Sequence, residues 1–146
     1  MKKIIITYSK EETMSLGGKL AVLLPMGSTV TLTGDLGAGK TTLVRGLAQG
    51  LHIKEVVQSP TFNIMKIYFK GDKPLVHIDA YRLADINTDI GLDEYIGYET
   101  GITVIEWPDY ISDLIPDDAI GIEILNKGGD ERQITISCDE SLGGLL

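Results

Sequence analysis

Residues 34–41 read Gly34-Asp-Leu-Gly-Ala-Gly-Lys40-Thr41 and match the pattern G-x-x-x-x-G-K-[ST]. The residue types follow from the chemistry of holding a triphosphate. Many backbone N–H groups must point inward around one anion, and a chain free of Cβ crowding curls that tightly most easily, which favours Gly34, Gly37 and Gly39. Lys40 brings a compact positive charge to the β- and γ-phosphate oxygens, and Thr41 offers a hydroxyl to Mg²⁺. A helix beginning at Lys40 adds free N–H groups and its dipole to the cradle.

Such a loop needs a carboxylate near the metal, usually at the end of a buried strand. Asp79 follows Leu75-Val-His-Ile and Glu106 follows Ile102-Thr-Val-Ile. Both acids therefore sit where ligands gather in α/β sheets. Mg²⁺ takes one or two carboxylates and keeps several waters, so one acid can hold the metal while the other orients an attacking water. Spacing alone leaves the assignment open.

Around these acids, His77 lies two residues before Asp79 and so on the same strand face. It is read as a packed or hydrogen-bonded histidine in preference to a catalytic one. Arg82 is weighed as a phosphate-neutralising group against pairing with an acid, and Trp107 as a partner- or substrate-facing residue against ordinary packing. Asn126-Lys127-Gly128-Gly129 approaches the guanine-reading NKxD pattern, but glycine stands where the carboxylate is needed. GTP specificity is not supported.

The elements that must position these groups are legible from pattern. Lys3–Thr7 reads as a strand, and Ser9 with Glu12 has the spacing of a capping box opening a helix that Pro25 and Gly27 stop. Ser28–Thr33 reads as the strand before the glycine-rich turn, and Lys40–Leu51 as the helix after it, with Leu43, Leu47 and Leu51 on one face. Phe62–Phe69 and Leu75–Ile78, with a turn at Gly71-Asp72, predict an antiparallel hairpin. A short helix is expected near Leu92–Ile96 and another between Pro108 and Pro116. The continuous apolar run Ile102–Ile105 reads as a buried central strand. Ala119–Leu125 and Gln133–Ser137 flank a turn as a last hairpin, and residues 141–146 are expected to fray. The sum is an α/β fold: a single P-loop NTPase-like domain over 1–146, its mixed parallel and antiparallel sheet flanked by helices.

Composition narrows the function. The chain has 146 residues and a net charge of −8, from 13 basic and 21 acidic side chains. Its only arginines are Arg45, Arg82 and Arg132, which makes it a poor stand-alone binder of a nucleic-acid backbone. Cys138 is the single cysteine, so an internal disulfide and cysteine-rich metal sites are excluded and a reducing compartment fits. It is read as a small core or strand residue. The run Ile4–Ile6 is too short for a signal peptide, and no stretch approaches the roughly 18 apolar residues of a membrane span. A cytoplasmic protein with no membrane association is expected.

Four motifs occur in order: Gly34-Asp-Leu-Gly-Ala-Gly-Lys-Thr-Thr42, Ser59-Pro-Thr-Phe62, His77-Ile-Asp-Ala-Tyr-Arg-Leu83 and Ile105-Glu-Trp-Pro108. As a set they closely resemble the bacterial TsaE family, the P-loop ATPase of tRNA threonylcarbamoyladenosine biosynthesis. The resemblance runs from the helix at Ser9 to the hairpin at Arg132. It implies binding of ATP or ADP with Mg²⁺ and slow ATP hydrolysis by the chain alone. It also implies action on the TsaB–TsaD complex, which transfers threonylcarbamoyl to tRNA, so that tRNA is met only indirectly. By the matching motifs, Leu36, Gly37, Ala38, Gly39, Lys40, Thr41 and Thr42 would bind the nucleotide, and Thr13 and Arg132 would approach its adenine end. Thr41 and Glu106 would hold the metal. Lys40 would act at the γ-phosphate and Asp79 at the γ-phosphate or its water, and Thr61 resembles a switch residue that senses the γ-phosphate. Ser-Pro-Thr also suits a plain turn.

Two other classes fit a short P-loop chain: a small-molecule kinase, and a nucleotide-gated interaction switch with negligible turnover. A kinase lid usually brings several arginines to the transferred phosphate, and here only three exist.

Overall fold

The computed structural model describes residues 1–58, 64–85 and 91–146. Seven strands form one sheet in the order β1-β7-β6-β2-β5-β4-β3. Its centre is parallel: β2 (Thr29–Thr33) lies between β6 (Ile120–Gly128) and β5 (Ile102–Glu106), and β5 pairs with β4 (Leu75–Asp79). Antiparallel strands finish both sides. β3 (Met65–Tyr68) pairs with β4, while β7 (Glu131–Ser137) pairs with β6 and receives β1 (Lys2–Thr7) on its outer edge. The expected mixed sheet is observed, and so are both hairpins. The first is shorter than the sequence suggests: Phe69 lies outside β3, and residues 62–63 lie outside the described residues.

β4 and β5 are buried along their whole length, as apolar runs covered on both faces must be. Period-2 alternation sorts their side chains. Leu75, Ile102 and Val104 join the larger core under helices α1 (Lys10–Leu23) and α2 (Lys40–Gly50). Val76, Ile78 and Ile105 join a second cluster with Leu83, Leu92 and Ile111, contributed by short 3₁₀ helices at Tyr81–Asp85, Leu92–Glu94 and Pro108–Leu114. By the same alternation His77, Asp79 and Glu106 belong to the helix-covered face.

α1 starts as its capping signal demands. The Glu12 N–H donates to Ser9 Oγ at 3.1 Å, but Glu12 Oε2 accepts from the Tyr8 N–H at 3.2 Å, one residue earlier than the usual box. α1 and α2 touch backbone to backbone. A Cβ on Gly46 would collide with the Met14 carbonyl, and one on Gly50 would lie 2.7 Å from the Gly18 carbonyl oxygen. Glycine at these positions lets α1 seat α2, and with it the turn that precedes α2.

Residues 141–146, expected to fray, lie largely in α3 (Glu140–Leu145). The Asp139 side chain accepts the Leu142 N–H at 2.8 Å, and Leu142 is part of the larger core. Among the described residues no helix is long and apolar enough to cross a membrane.

Candidate nucleotide site

β2 ends at Thr33 and the chain turns through residues 34–39 into α2. Gly39 occupies the N-cap of α2 with φ +108°, a conformation that side chains resist. Gly34 is required for a different reason, since a Cβ there would stand 2.8 Å from the Ile124 carbonyl oxygen. Gly37 and Gly39, both at positive φ, thus meet demands of the turn itself, and Gly34 meets one set by β6.

The turn floors a cleft of about 910 Å³, within the usual size range of ligand pockets. Leu36, Gly37, Gly39, Lys40, Thr41 and Thr42 line it from the loop and first helical turn. Asp79 and Glu106 line it from the ends of β4 and β5. Lys10 and Thr13 reach it from α1, and Asp130 and Arg132 from the β6–β7 hairpin. Six of the seven expected loop residues therefore share one concavity with both acids. Ala38 is the exception: it is buried, and its N–H donates to the Asp35 carbonyl at 3.0 Å. Its part is to close the turn.

Asp79 and Glu106 are register partners on adjacent parallel strands and are nearly buried, at 6% and 4% exposure. Asp79 Oδ1 accepts the Tyr81 N–H at 3.0 Å. Glu106 Oε2 accepts from His77 Nε2 at 2.6 Å, and Glu106 Oε1 lies 3.7 Å from Lys40 Nζ. Lys40 is itself 7% exposed, with Nζ 4.5 Å from the centre of the Trp107 ring. A buried ammonium between a carboxylate and an indole face has its charge balanced from both sides.

Trp107 adopts φ 57°, ψ 53°, a left-handed conformation that costs a bulky residue about 1–3 kcal/mol. It turns the chain out of β5 and sets the indole over Lys40. Tyr81 packs 5.1 Å from the Trp107 ring and Tyr110 stacks at 6.3 Å, interplanar 19°. Packing and site-facing roles thus coincide in Trp107. Tyr81 belongs to the motif at 77–83 but takes no role from it, and Tyr110 carries no motif signal.

The remaining candidates fall into place differently. Arg132 Nε donates to the Ala38 carbonyl at 2.7 Å, and Nη1 to the Gly129 carbonyl at 2.7 Å and Asn126 Oδ1 at 3.1 Å. It ties the last hairpin to the glycine-rich loop, with Asn126 serving the hairpin turn. Thr13 is buried at 2% exposure, its hydroxyl 2.7 Å from Thr7 Oγ1. Arg45 Nε donates to the Val57 carbonyl at 3.0 Å. Arg82 is exposed and does not line the cleft. Cys138 packs at the edge of the larger core. Thr61 and the rest of residues 59–62 lie outside the described residues.

The donor set can be tested against a metal. The Thr41 hydroxyl and a Glu106 oxygen left unbonded by His77 are hard oxygen donors in one cleft. Among the described residues no group of three His, Cys, Asp or Glu side chains forms a metal cage. Few protein oxygens beside a phosphate loop suit Mg²⁺, which keeps much of its water.

Comparison with known proteins agrees with this architecture. Residues 7–134 match the family model "Threonylcarbamoyl adenosine biosynthesis protein TsaE". The chain is 44% identical to the tRNA threonylcarbamoyladenosine biosynthesis protein TsaE of Bacillus subtilis, over 90% of this chain and 82% of the relative. It is 39% identical to the protein of the same name from Treponema pallidum, over 90% and 98%. The crystal structure of Bacillus subtilis YdiB superposes with a TM-score of 0.83 at 36% identity, covering 99% of this chain and 91% of that one. The chain belongs to the TsaE family of tRNA threonylcarbamoyladenosine biosynthesis proteins.

Proposed function

We propose that this chain is the ATP-binding and ATP-hydrolysing component of the tRNA threonylcarbamoyladenosine machinery, working on the TsaB–TsaD transferase complex in the cytoplasm. The observation that carries the reading is the convergence of Lys40, Thr41, Asp79 and Glu106 on one cleft floored by a glycine-rich turn. Two acids at strand ends beside such a turn are what phosphoryl transfer to water requires.

Each residue has a part. Backbone N–H groups at the start of α2 and the Lys40 ammonium receive the β- and γ-phosphates. Thr41 and Glu106 would hold Mg²⁺, which when bound supplies positive charge to the phosphate oxygens. Asp79, anchored by the Tyr81 N–H, orients the attacking water and accepts its proton. Arg132 keeps the loop in shape from outside the phosphate cradle. Thr61 is retained as the γ-phosphate sensor on the strength of its motif.

A kinase reading is less well supported, because Arg45 and Arg132 are committed to backbone carbonyls. Phosphate release from ATP and Mg²⁺ without an added acceptor tests the assignment. Release requiring a small-molecule acceptor would favour the kinase, and none even with TsaB–TsaD present would favour a switch without turnover.

A further inference from the structure

The proposed mechanism leaves the buried imidazole of His77 unused. His77 has 0% exposure and sits in the middle of β4 between Val76 and Ile78. Its Nδ1 is buried with no hydrogen-bond partner among the described residues. A β-branched aliphatic residue would fill such a strand position without stranding a polar atom. Packing alone therefore does not account for an imidazole here.

The ring makes one strong contact, from Nε2 to Glu106 Oε2 at 2.6 Å. A carboxylate only accepts, so the proton lies on Nε2 and the bond is donated toward Glu106. The consequence is a division of labour between the two carboxylate oxygens. Oε2 is held from below by the sheet, while Oε1 is turned toward Lys40 and the phosphate loop. Without that bond the Glu106 side chain regains rotamer freedom, and its carboxylate faces Lys40 alone.

We propose that His77 is a positioning residue for the nucleotide-bound metal: its Nε2–H fixes the Glu106 carboxylate so that Oε1 is presented to Mg²⁺. This inference rests on the nucleotide and metal reading above. Hydrogen bonds to ligating carboxylates commonly alter metal affinity by 10–100-fold when removed.

The test compares two amides. His77→Gln can place an N–H donor near the Nε2 position, whereas His77→Asn is too short to reach Glu106. Calorimetry would measure ADP affinity in Mg²⁺ and in EDTA, and the ratio of the two reports how strongly metal and site are coupled. His77→Asn should lower that ratio by about 10-fold or more while leaving the EDTA affinity within about twofold. His77→Gln should keep most of it. In a Glu106→Ala background, His77→Asn should have little further effect, because a residue acting through another adds nothing once that other is gone. His77→Leu, which leaves no polar atom unpaired at this position, covers the case in which the short amide unfolds the chain, and should behave as His77→Asn. Equal ratios in wild type and a folded His77→Asn or His77→Leu would overturn the proposal, as would an undiminished effect in the Glu106→Ala background. A wild type that binds ADP equally in Mg²⁺ and EDTA would overturn it too, while leaving nucleotide binding intact. A wild type that binds no ADP in either buffer would remove the functional reading itself.

Discussion

Asp79 and Glu106 stand opposite one another at the ends of two parallel strands, yet their carboxylates are held by different partners. Asp79 takes a backbone N–H from Tyr81, and Glu106 takes the imidazole of His77 and faces the Lys40 ammonium. Two carboxylates of similar depth thus meet different surroundings. The difference comes from the Tyr81 N–H just beyond β4 and from His77 within it, two residues before its end.

Glu106→Ala should raise the Mg²⁺ concentration needed for half-maximal hydrolysis by about 10-fold or more. Asp79→Ala should lower kcat by on the order of 100-fold with nucleotide affinity largely kept, since its part is made in the transition state. Titrating Mg²⁺ against both variants checks this. If Asp79→Ala is the variant that shifts the metal requirement, the two roles are exchanged.

Lys40→Ala should abolish measurable hydrolysis and weaken ATP binding by removing the positive charge from the phosphate cradle. It should also leave the Glu106 carboxylate without its charged neighbour. Equilibrium binding of ATP and phosphate release in the same preparation would show both effects. Wild-type affinity and turnover would contradict the assignment of the loop.

Two glycines on facing helices should respond oppositely to alanine. At Gly46 a Cβ would run into the Met14 carbonyl, so Gly46→Ala should cost about 1–3 kcal/mol or more. At Gly18 the nearest atom would be the Gly46 carbonyl oxygen at 3.7 Å, an ordinary contact within a helix. Gly18→Ala should therefore stabilise by about 0.5–1 kcal/mol. Denaturant unfolding of the two variants reads both signs, and equal shifts would contradict the described α1–α2 contact.

Much of this architecture was legible because local pattern and tertiary demand agree. The turn at Gly37 and Gly39, the buried strand Ile102–Ile105 and the cap at Ser9 are each specified by nearby residues. What was not legible depends on contacts distant in sequence. The sequence gives no sign that Arg132 binds the Ala38 carbonyl, because 94 residues separate the two. The His77–Glu106 bond spans 29 residues and depends on strand register. The left-handed turn at Trp107 has no signal in its residue type, because tryptophan rarely adopts it. The tail became a helix because Leu142 finds a place in the core, which no short window of sequence reveals.

The isolated chain should bind tRNA weakly or not at all at physiological salt. A net charge of −8 opposes counterion release, and two of its three arginines bind backbone carbonyls within the fold. The sole tryptophan, Trp107, sits beside Glu106 and over Lys40. Its fluorescence should respond to ATP with Mg²⁺ and to TsaB–TsaD, and little to tRNA alone. A filter-binding assay should accompany it, because RNA can bind without touching the indole. Submicromolar tRNA affinity would contradict the charge argument.

If hydrolysis in this cleft drives the transferase complex, repeated tRNA modification measures it most directly. TsaB–TsaD, tRNA, an activated threonylcarbamoyl donor and ATP with Mg²⁺ would be combined with the wild-type chain, with Lys40→Ala, or with neither. The modified adenosine formed per TsaD would then be counted over time. Sustained turnover is expected only with the wild-type chain, and arrest after about one round in the other two reactions. Equal multiple turnover in all three would contradict it.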